Sequence, residues 1–220
     1  MSFGELSVSK NHCLYGETEY KSMPLMAGHL PMIKECLDAL HRVVENSLRD
    51  YRRVFAFRVD LHVPLALESS ADDYCNSSIS RFIESFKAKI RHNRRAVAKA
   101  RGFVHETSVR YFWVREIGDT GWVHYHLVIF LNGDAFNWLG NYQSPTGNIA
   151  SRVCEAWASA LGESIEDTKS KVHFPLNPSY LLVRDDQESV DTFFHRASYL
   201  CKARTKRYGS GHHGYGASRG

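Results

Sequence analysis

A clear strand pattern is the alternation of apolar and polar residues at 53–63. Odd-numbered positions from Phe55 to Val63 are apolar, whereas even-numbered positions carry Arg58, Asp60 and His62. Because side chains alternate between the two faces of a strand, this pattern predicts a β-strand that ends at Pro64. Residues 108–117 and 122–132 are rich in β-branched and aromatic residues and predict two more strands. The short segment 118–121 between them predicts a hairpin turn.

Other segments repeat apolar residues at three- and four-residue steps, which predicts amphipathic helices. These helices are expected at 30–50, 78–101, 148–161 and 187–205, and Gly102 is expected to end the second of them. Residues 65–77 and 134–147 predict loops, and 171–184 an extended, irregular stretch. Strands and helices do not alternate regularly. The order therefore predicts an α+β fold with a central, mainly antiparallel sheet and helices packed on it.

The chain of 220 residues is long enough for one domain with a buried core. We divide it into an N-terminal segment with an amphipathic helix (1–50), a main domain (51–206) and a Gly- and His-rich tail (207–220). The low complexity of the tail predicts disorder.

Composition narrows the class of protein. No run of about 18 apolar residues exists, and the N-terminus lacks the basic-then-apolar pattern of a signal peptide, so no membrane span is expected. The five cysteines are scattered and form no Cys-x-x-Cys pair, which predicts reduced thiols. These observations favour a cytoplasmic protein.

Positive charge is concentrated in two segments, although the net charge of the chain is only +4. Residues 81–101 contain eight Lys or Arg and one acid, and residues 196–220 contain six Lys or Arg and no acid. Two basic segments on an otherwise acidic body indicate a polyanion partner that binds at a defined place. The alternative is a solvated helix face followed by a basic tail.

The third predicted strand carries His124 and His126, whose side chains project from the same face. Glu116 closes the strand before the hairpin, so its carboxylate is expected to approach His124 across the ladder. Two imidazoles and a carboxylate can bind one divalent metal and leave positions open for substrate oxygens, which suits Mg²⁺ or Mn²⁺ in phosphoryl transfer. The alternative is that the histidines only pack or hydrogen-bond within the sheet.

A candidate nucleophile lies in the last predicted helix. His195, Tyr199 and Lys202 follow one another at steps of four and three residues, which would place them on one helix face. A neutral phenol is a poor nucleophile, and a nearby ammonium or metal favours its reactive phenolate form. The alternative is a packed tyrosine beside a solvated lysine.

Taken together, the segments 57–64, 112–116, 124–132 and 199–202 resemble the HUH endonucleases, in which two histidines flank a bulky residue, here Tyr125. Within that superfamily the chain is most similar to the rolling-circle replication initiators of filamentous phages and their prophage-borne YagK/YfjJ relatives. The resemblance covers roughly 50–205 and implies a Rep-like nuclease domain at 51–206.

The resemblance implies that His124, His126 and Glu116 hold Mg²⁺ or Mn²⁺ and that Tyr199 attacks a phosphate of single-stranded DNA, with Lys202 as a second catalytic residue. The products would be a 5′-phosphotyrosine and a free 3′-hydroxyl that primes synthesis. Such an enzyme would act in the cytoplasm of a bacterial host, on an origin hairpin and together with host replication proteins. DNA contacts are expected from Arg58, Asp60, His62, Arg91, Arg94, Arg95, His195 and Arg204. Arg58, Asp60 and His62 would line the DNA groove or lie behind the metal ligands, and the alternative for them is a solvated strand face.

Other functions stay open at this point. A DNA-binding replication accessory or repressor would keep the fold without catalysis. A single-tyrosine transposase or relaxase would share the chemistry and differ in substrate. A two-histidine RNA phosphodiesterase would need a second His-x-Ser/Thr motif, and none stands out in the sequence.

Overall fold

The computed structural model describes residues 12–64, 71–118, 122–142, 144, 146–204 and 213–219. The helices in these ranges are α1 (Lys34–Asp50), α2 (Ala71–Arg101), α3 (Ile149–Leu161), α4 (Ile165–Thr168) and α5 (Gln187–Ser198). The strands are β1 (Leu14–Tyr15), β2 (Glu19–Tyr20), β3 (Met23–Pro24), β4 (Met32–Ile33), β5 (Arg53–His62), β6 (Arg110–Ile117), β7 (Val123–Asn132), β8 (Val172–His173), β9 (Ser179–Val183) and β10 (Tyr215–Ala217). Short 3₁₀ turns cover Ala27–His29, Lys169–Lys171 and Tyr199–Cys201.

One six-stranded sheet organises the molecule. Its strands run in the order β10-β6-β7-β5, and the far edge of β5 pairs with both β8 and β9. All of these pairs are antiparallel. The predicted α+β class with a mainly antiparallel sheet is confirmed.

Each face of the sheet is covered by its own helices. Odd-numbered residues of β5 and β7, among them Phe57 and Leu127, pack with residues of α2 and α3 in one apolar cluster. Even-numbered residues, among them Ala56 and Phe130, pack with α1 and α5 in a second cluster. The two-residue alternation in the sequence therefore divides the core into two layers, one on each face of the sheet.

Local sequence explains where two of the helices end. Gly102 adopts a positive φ of 71° after α2, and its amide donates to the Ala98 carbonyl. Gly162 ends α3 in the same way, with a φ of 72°, and its amide donates to the Ala158 carbonyl. At the start of α3, the Asn148 side chain accepts from the Ser151 amide, which satisfies a backbone donor that the first turn leaves unpaired.

Several predicted boundaries move. Helix α1 begins at Lys34 instead of residue 30, because Met32–Ile33 pairs as a strand with β1. Helix α2 begins at Ala71, so the loop predicted for 65–77 is wrong from residue 71 onward, and residues 65–70 lie outside the described ranges. The tip of the predicted hairpin at 119–121 also lies outside them, but β6 and β7 pair as the hairpin requires.

The last helix is shorter than predicted. Helix α5 ends at Ser198, the chain tightens into a 3₁₀ turn at Tyr199–Cys201, and Lys202 is already extended with ψ 136°. The reason is tertiary pairing: Lys202 forms a bridge with Met32, and the Ala203 amide donates to the Pro31 carbonyl. These partners replace the hydrogen bonds that would have continued the helix.

The expected disorder of the tail is wrong for Tyr215–Ala217, which form β10 on the edge of β6. Gly216 lies over Trp113, and an added Cβ would come within 2.6 Å of that indole. A low-complexity segment is ordered here because an open sheet edge supplies its backbone partners. Residues 205–212 lie outside the described ranges.

No helix in the described part of the chain is both long and apolar enough to cross a bilayer.

Candidate metal centre and tyrosine site

Three neighbouring strands bring polar side chains to one end of a single sheet face. In the ladder of β6, β7 and β5, Glu116 lies opposite His124, and His124 lies opposite His62. One step along β7, His126 lies opposite Asp60. The predicted approach of Glu116 to His124 across the hairpin is confirmed.

Glu116, His124 and His126 form a group that could hold a metal ion, since one ligand atom from each lies within 4.8 Å of the others. Glu116 and His126 are buried, and His124 is half-buried. One carboxylate oxygen and two imidazole nitrogens suit a divalent transition metal, and Mn²⁺ accepts nitrogen ligands more readily than Mg²⁺ does. The residues therefore fit a divalent cation.

The second nitrogen of the His126 ring is already bound within the protein. His126 Nδ1 lies 2.7 Å from Asp60 Oδ1, and the Arg58 guanidinium lies 3.0 and 3.1 Å from the two Asp60 oxygens. Arg58 also lies 3.1 Å from Nδ1, but the shorter contact to an anion favours a tautomer in which Nδ1–H donates to Asp60. That tautomer leaves Nε2 free to bind a metal, as carboxylates behind ligating histidines commonly ensure.

The Asp60 carboxylate stays ionised in this position. Burial acts to raise its pKa, but the hydrogen bond and charge of His126 and the charge of Arg58 outweigh burial and hold the pKa at about 2. The sequence placed Asp60 among DNA contacts. Asp60 is buried with His126 and Arg58 as its partners, which agrees with the alternative that it lies behind the metal ligands, and its contact with DNA stays a prediction.

His124 and His62 are both held in the form that metals bind. His124 Nδ1 lies 3.3 Å from the Trp122 carbonyl, and burial, followed by the charge of His126, lowers the pKa of His124. The His62 ring stacks on His124 at 5.5 Å, and burial lowers its pKa as well. Neutral imidazole is the ligating form, so these surroundings favour metal binding.

Tyr199 lies beside this group, at the end of α5. The Lys202 ammonium is 3.6 Å from the centre of the Tyr199 ring and 3.2 Å from Glu116 Oε1. On another side, the Arg58 guanidinium lies 5.6 Å from the same ring. Two cations that contact residues of the candidate metal centre therefore also contact the tyrosine.

The predicted single helix face for His195, Tyr199 and Lys202 is wrong, because α5 ends before Tyr199. His195 lies on α5 and lines a surface cleft of about 650 Å³, with Tyr180 and Arg196 among the other lining residues. Lys202 reaches Glu116 from an extended backbone instead of from a helix.

An N-terminal segment, residues 26–32, completes the surroundings of Tyr199. The Met26 amide donates to Ser198 Oγ at 3.1 Å, and the His29 ring meets the Tyr199 ring edge-on at 4.7 Å. With the backbone contacts of Pro31 and Met32 described above, this segment binds the turn that carries the tyrosine at four points. Sequence reasoning missed this role, because residues 26–28 show no periodic pattern, residues 30–32 fall in the first predicted helix, and the partners lie about 170 residues away.

The basic residues of α2 lie on the other layer of the molecule. Helix α2 packs on the odd-numbered face of the sheet, whereas the candidate metal centre occupies the even-numbered face. Arg91 and Arg95 are exposed there. Arg94 is buried over the Phe136 ring at 4.2 Å, so the structure gives this guanidinium a packing contact, and its contact with DNA stays a prediction. The structure does not bring these arginines to the tyrosine.

Arg204 is exposed two residues after Lys202. Burial, followed by the charges of Lys202 and Arg204, lowers the pKa of His29. Arg204 thus lies near His29, whose ring contacts the Tyr199 ring.

Comparison with known proteins assigns the chain to a family. The family model described as the YagK/YfjJ C-terminal domain matches residues 17–218, which include every residue of the candidate site. The chain belongs to the YagK/YfjJ C-terminal domain family.

Two curated proteins from Escherichia coli K12 agree with this assignment. The chain is 32% identical to the uncharacterized protein YfjJ over 193 residues, covering 83% of this chain and 93% of YfjJ. It is 31% identical to the uncharacterized protein YagK over 176 residues, covering 76% of this chain and 84% of YagK. No solved structure matches the chain. The comparisons thus establish the family and bring no activity with it.

Proposed function

We propose that the protein is an HUH-type endonuclease that nicks and rejoins single-stranded DNA with Mg²⁺ or Mn²⁺. In this proposal Glu116, His124 and His126 hold the metal, and Tyr199 is the nucleophile. The reaction initiates rolling-circle replication of a phage or prophage element in the cytoplasm of a bacterial host.

The observation that carries the proposal is the convergence of a metal-binding group and a tyrosine on one sheet face. Glu116, His124 and His126 come from a hairpin, Tyr199 comes from the end of α5, and the Lys202 ammonium contacts both Glu116 and the tyrosine ring. A purely structural tyrosine does not require an ion-paired group of metal-ligand side chains beside it.

A bound divalent cation would supply positive charge to the phosphate that reacts. The Tyr199 hydroxyl oxygen attacks phosphorus, and the bond from phosphorus to the 3′ oxygen breaks. The phenol loses its proton and the departing 3′ oxygen gains one, which leaves a 5′-phosphotyrosine and a 3′-hydroxyl. Rejoining reverses these steps and needs no ATP, because the phosphodiester bond energy is kept in the tyrosyl link.

Cationic side chains around the tyrosine suit a polyanionic substrate. Arg58 lies 5.6 Å from the Tyr199 ring, Arg196 lines the cleft along α5, and Arg204 is exposed two residues after Lys202. Phosphate contacts of this kind position a strand without reading its sequence. A single-stranded origin hairpin, with host replication proteins acting after the nick, is the substrate and setting that we propose.

The test is a covalent-adduct assay. The purified full chain is incubated with Mn²⁺ and end-labelled single-stranded DNA hairpins from the flanks of the element that encodes it, and the products are separated on a denaturing gel. We expect a protein–DNA adduct that is lost in Tyr199→Phe, with DNA binding retained by that variant.

Tyr208→Phe is the matched control, because Tyr208 follows Tyr199 by nine residues and is the next tyrosine in the chain. An adduct that persists in Tyr199→Phe and disappears in Tyr208→Phe would reject Tyr199 as nucleophile. Hairpin binding without any adduct would favour the DNA-binding accessory over the nuclease. Cleavage at transposon ends or a transfer origin instead would favour a transposase or relaxase.

A further inference from the structure

Lys202 has surroundings that are unusual for a lysine. Its side chain is 3% exposed, and its Nζ lies 3.2 and 3.3 Å from the two carboxylate oxygens of Glu116. Its other contact is the face of the Tyr199 ring. Burying an ammonium costs several kcal/mol, and an ion pair inside a protein rarely returns more than that cost. A contribution to the stability of the fold therefore does not by itself explain why a lysine is buried at this position.

The carboxylate that Lys202 binds is also the carboxylate of the candidate metal centre. His126 Nε2 lies 3.4 Å from the same Glu116 oxygen that lies 3.3 Å from Nζ. A divalent cation held by Glu116 and His126 would therefore sit within a few ångströms of an ammonium. Two positive charges at that separation repel strongly in a buried site. The ammonium and a metal ion compete for one carboxylate.

The ammonium also lies against the Tyr199 ring, so a Lys202 side chain released from Glu116 has the tyrosine as a neighbouring partner. The Lys202 Nζ lies 3.6 Å from the centre of the Tyr199 ring, which carries the hydroxyl group. The Lys202 backbone is fixed by its bridge to Met32, so the movement is confined to the side chain. An ammonium near the hydroxyl stabilises the phenolate and hence the nucleophile.

We propose that Lys202 is a positioning residue that couples the metal centre to the nucleophile. It neutralises Glu116 when no cation is bound there and is released towards the Tyr199 hydroxyl when Glu116 binds a cation. This inference rests on the proposed function of the site and adds an order of events: the tyrosine is activated only after the metal has bound.

The first test measures Mn²⁺ binding to the full chain by calorimetry, without DNA. Lys202→Gln and Lys202→Met remove the competing charge, so we expect each to bind Mn²⁺ about tenfold more tightly than the wild type. A lysine with a merely structural role would leave the affinity unchanged or weaken it. Lys202→Gln is included because its amide can still hydrogen-bond to Glu116 if the methionine variant fails to fold.

Lys171→Met is the matched control. Lys171 also pairs with a glutamate, Glu163, at 2.6 Å, but in the turn after α4 and outside the metal group. We expect wild-type Mn²⁺ affinity for this variant. A gain in affinity as large as that of the Lys202 variants would overturn the proposal, since it would reflect a general effect of charge.

A second measurement follows the tyrosine itself. Mn²⁺ should produce a tyrosine difference spectrum in the wild type that is lost in Tyr199→Phe and weakened in Lys202→Gln. An identical spectrum in wild type and Lys202→Gln would overturn the coupling. If Glu116→Gln and His126→Ala bind Mn²⁺ like the wild type, the metal centre is wrong and the coupling fails with it. Adduct formation without Tyr199 would overturn the proposed nucleophile and the activation of Tyr199, while the competition between Lys202 and Mn²⁺ for Glu116 would stand on the calorimetry.

Discussion

Alternating residues of β7 form its two faces. One face packs in the apolar core, and the other carries two of the candidate metal ligands. The odd-numbered residues from Val123 to Leu131 are all buried against α2 and α3. On the even-numbered face, Val128 and Phe130 are buried under α1 and α5, while His124 and His126 lie beyond the end of α5. A continuous apolar face holds the strand in place, and this allows one end of the other face to carry polar groups.

The comparison teaches how a buried polar site is stabilised. Asp60, Glu116 and Lys202 are all buried, yet each has an ionic partner within 3.3 Å. Unpaired charges in this position would cost far more than the sheet gains from a few apolar contacts. The polar end of the face is therefore an ionic network in which each buried charge has an ionic partner.

The largest effect is expected from Leu127→Ala on the apolar face of β7. Leu127 is fully buried, so the loss of its side chain should lower the free energy of unfolding by about 2–5 kcal/mol. Chemical denaturation monitored by circular dichroism measures this. Mn²⁺ affinity of the folded variant should stay at the wild-type value, and a large loss of affinity would show that the two faces are not independent.

His126→Ala, one residue away on the other face of β7, should lower mainly the Mn²⁺ affinity instead of the free energy of unfolding. Mn²⁺ affinity should fall about 100-fold, because two of the three candidate ligands cannot hold the ion in a defined geometry. Calorimetry with Mn²⁺ checks this. Unchanged affinity would remove the histidine pair from the metal centre, whatever happened to stability.

Gly216→Ala extends the comparison to the sheet edge. A Cβ at this position would approach the buried Trp113 indole to 2.6 Å, so β10 must shift or detach from β6. We expect a loss of about 1–3 kcal/mol in the free energy of unfolding. Gly28→Ala is the control, since a Cβ at Gly28 meets no atom within 4 Å. Equal denaturation midpoints for the two variants would contradict the close packing of β10.

The smallest effect is expected from Asp60→Asn, which keeps an acceptor for His126 Nδ1 and removes the charge behind it. Mn²⁺ affinity should fall about tenfold, because a neutral amide orients the ring but makes it a weaker ligand. The control is Asp50→Asn, which breaks an ion pair with Arg110 away from the metal group. A loss of affinity in Asp50→Asn of the same size would remove Asp60 from its role behind His126.

Sequence patterns predicted the parts of the site that depend on local geometry. Alternation along β5 and β7 fixed which side chains share a face, and the length of the hairpin placed Glu116 opposite His124. Both follow from the two-residue period of a strand and from the short connection between neighbouring strands. The family resemblance singled out Tyr199, which no local pattern distinguishes from a packed tyrosine.

Contacts between distant segments could not be predicted. The end of α5, the binding of the tyrosine turn by residues 26–32 and the order of β10 each depend on backbone partners far away in the chain. A helix pattern continues through Lys202, but pairing with Met32 is more favourable there than another helical turn.

The sequence by itself determined three strands of the sheet (β5, β6 and β7), their two faces and the placement of Glu116, His124 and His126 on one of them, because strand period and hairpin length are local properties. Only the tertiary structure decided that Lys202 is buried between Glu116 and Tyr199 and that Asp60 stands behind His126. Those contacts join strands and turns that are far apart in sequence, and burial raises the energy of every alternative in which their charges are left unpaired.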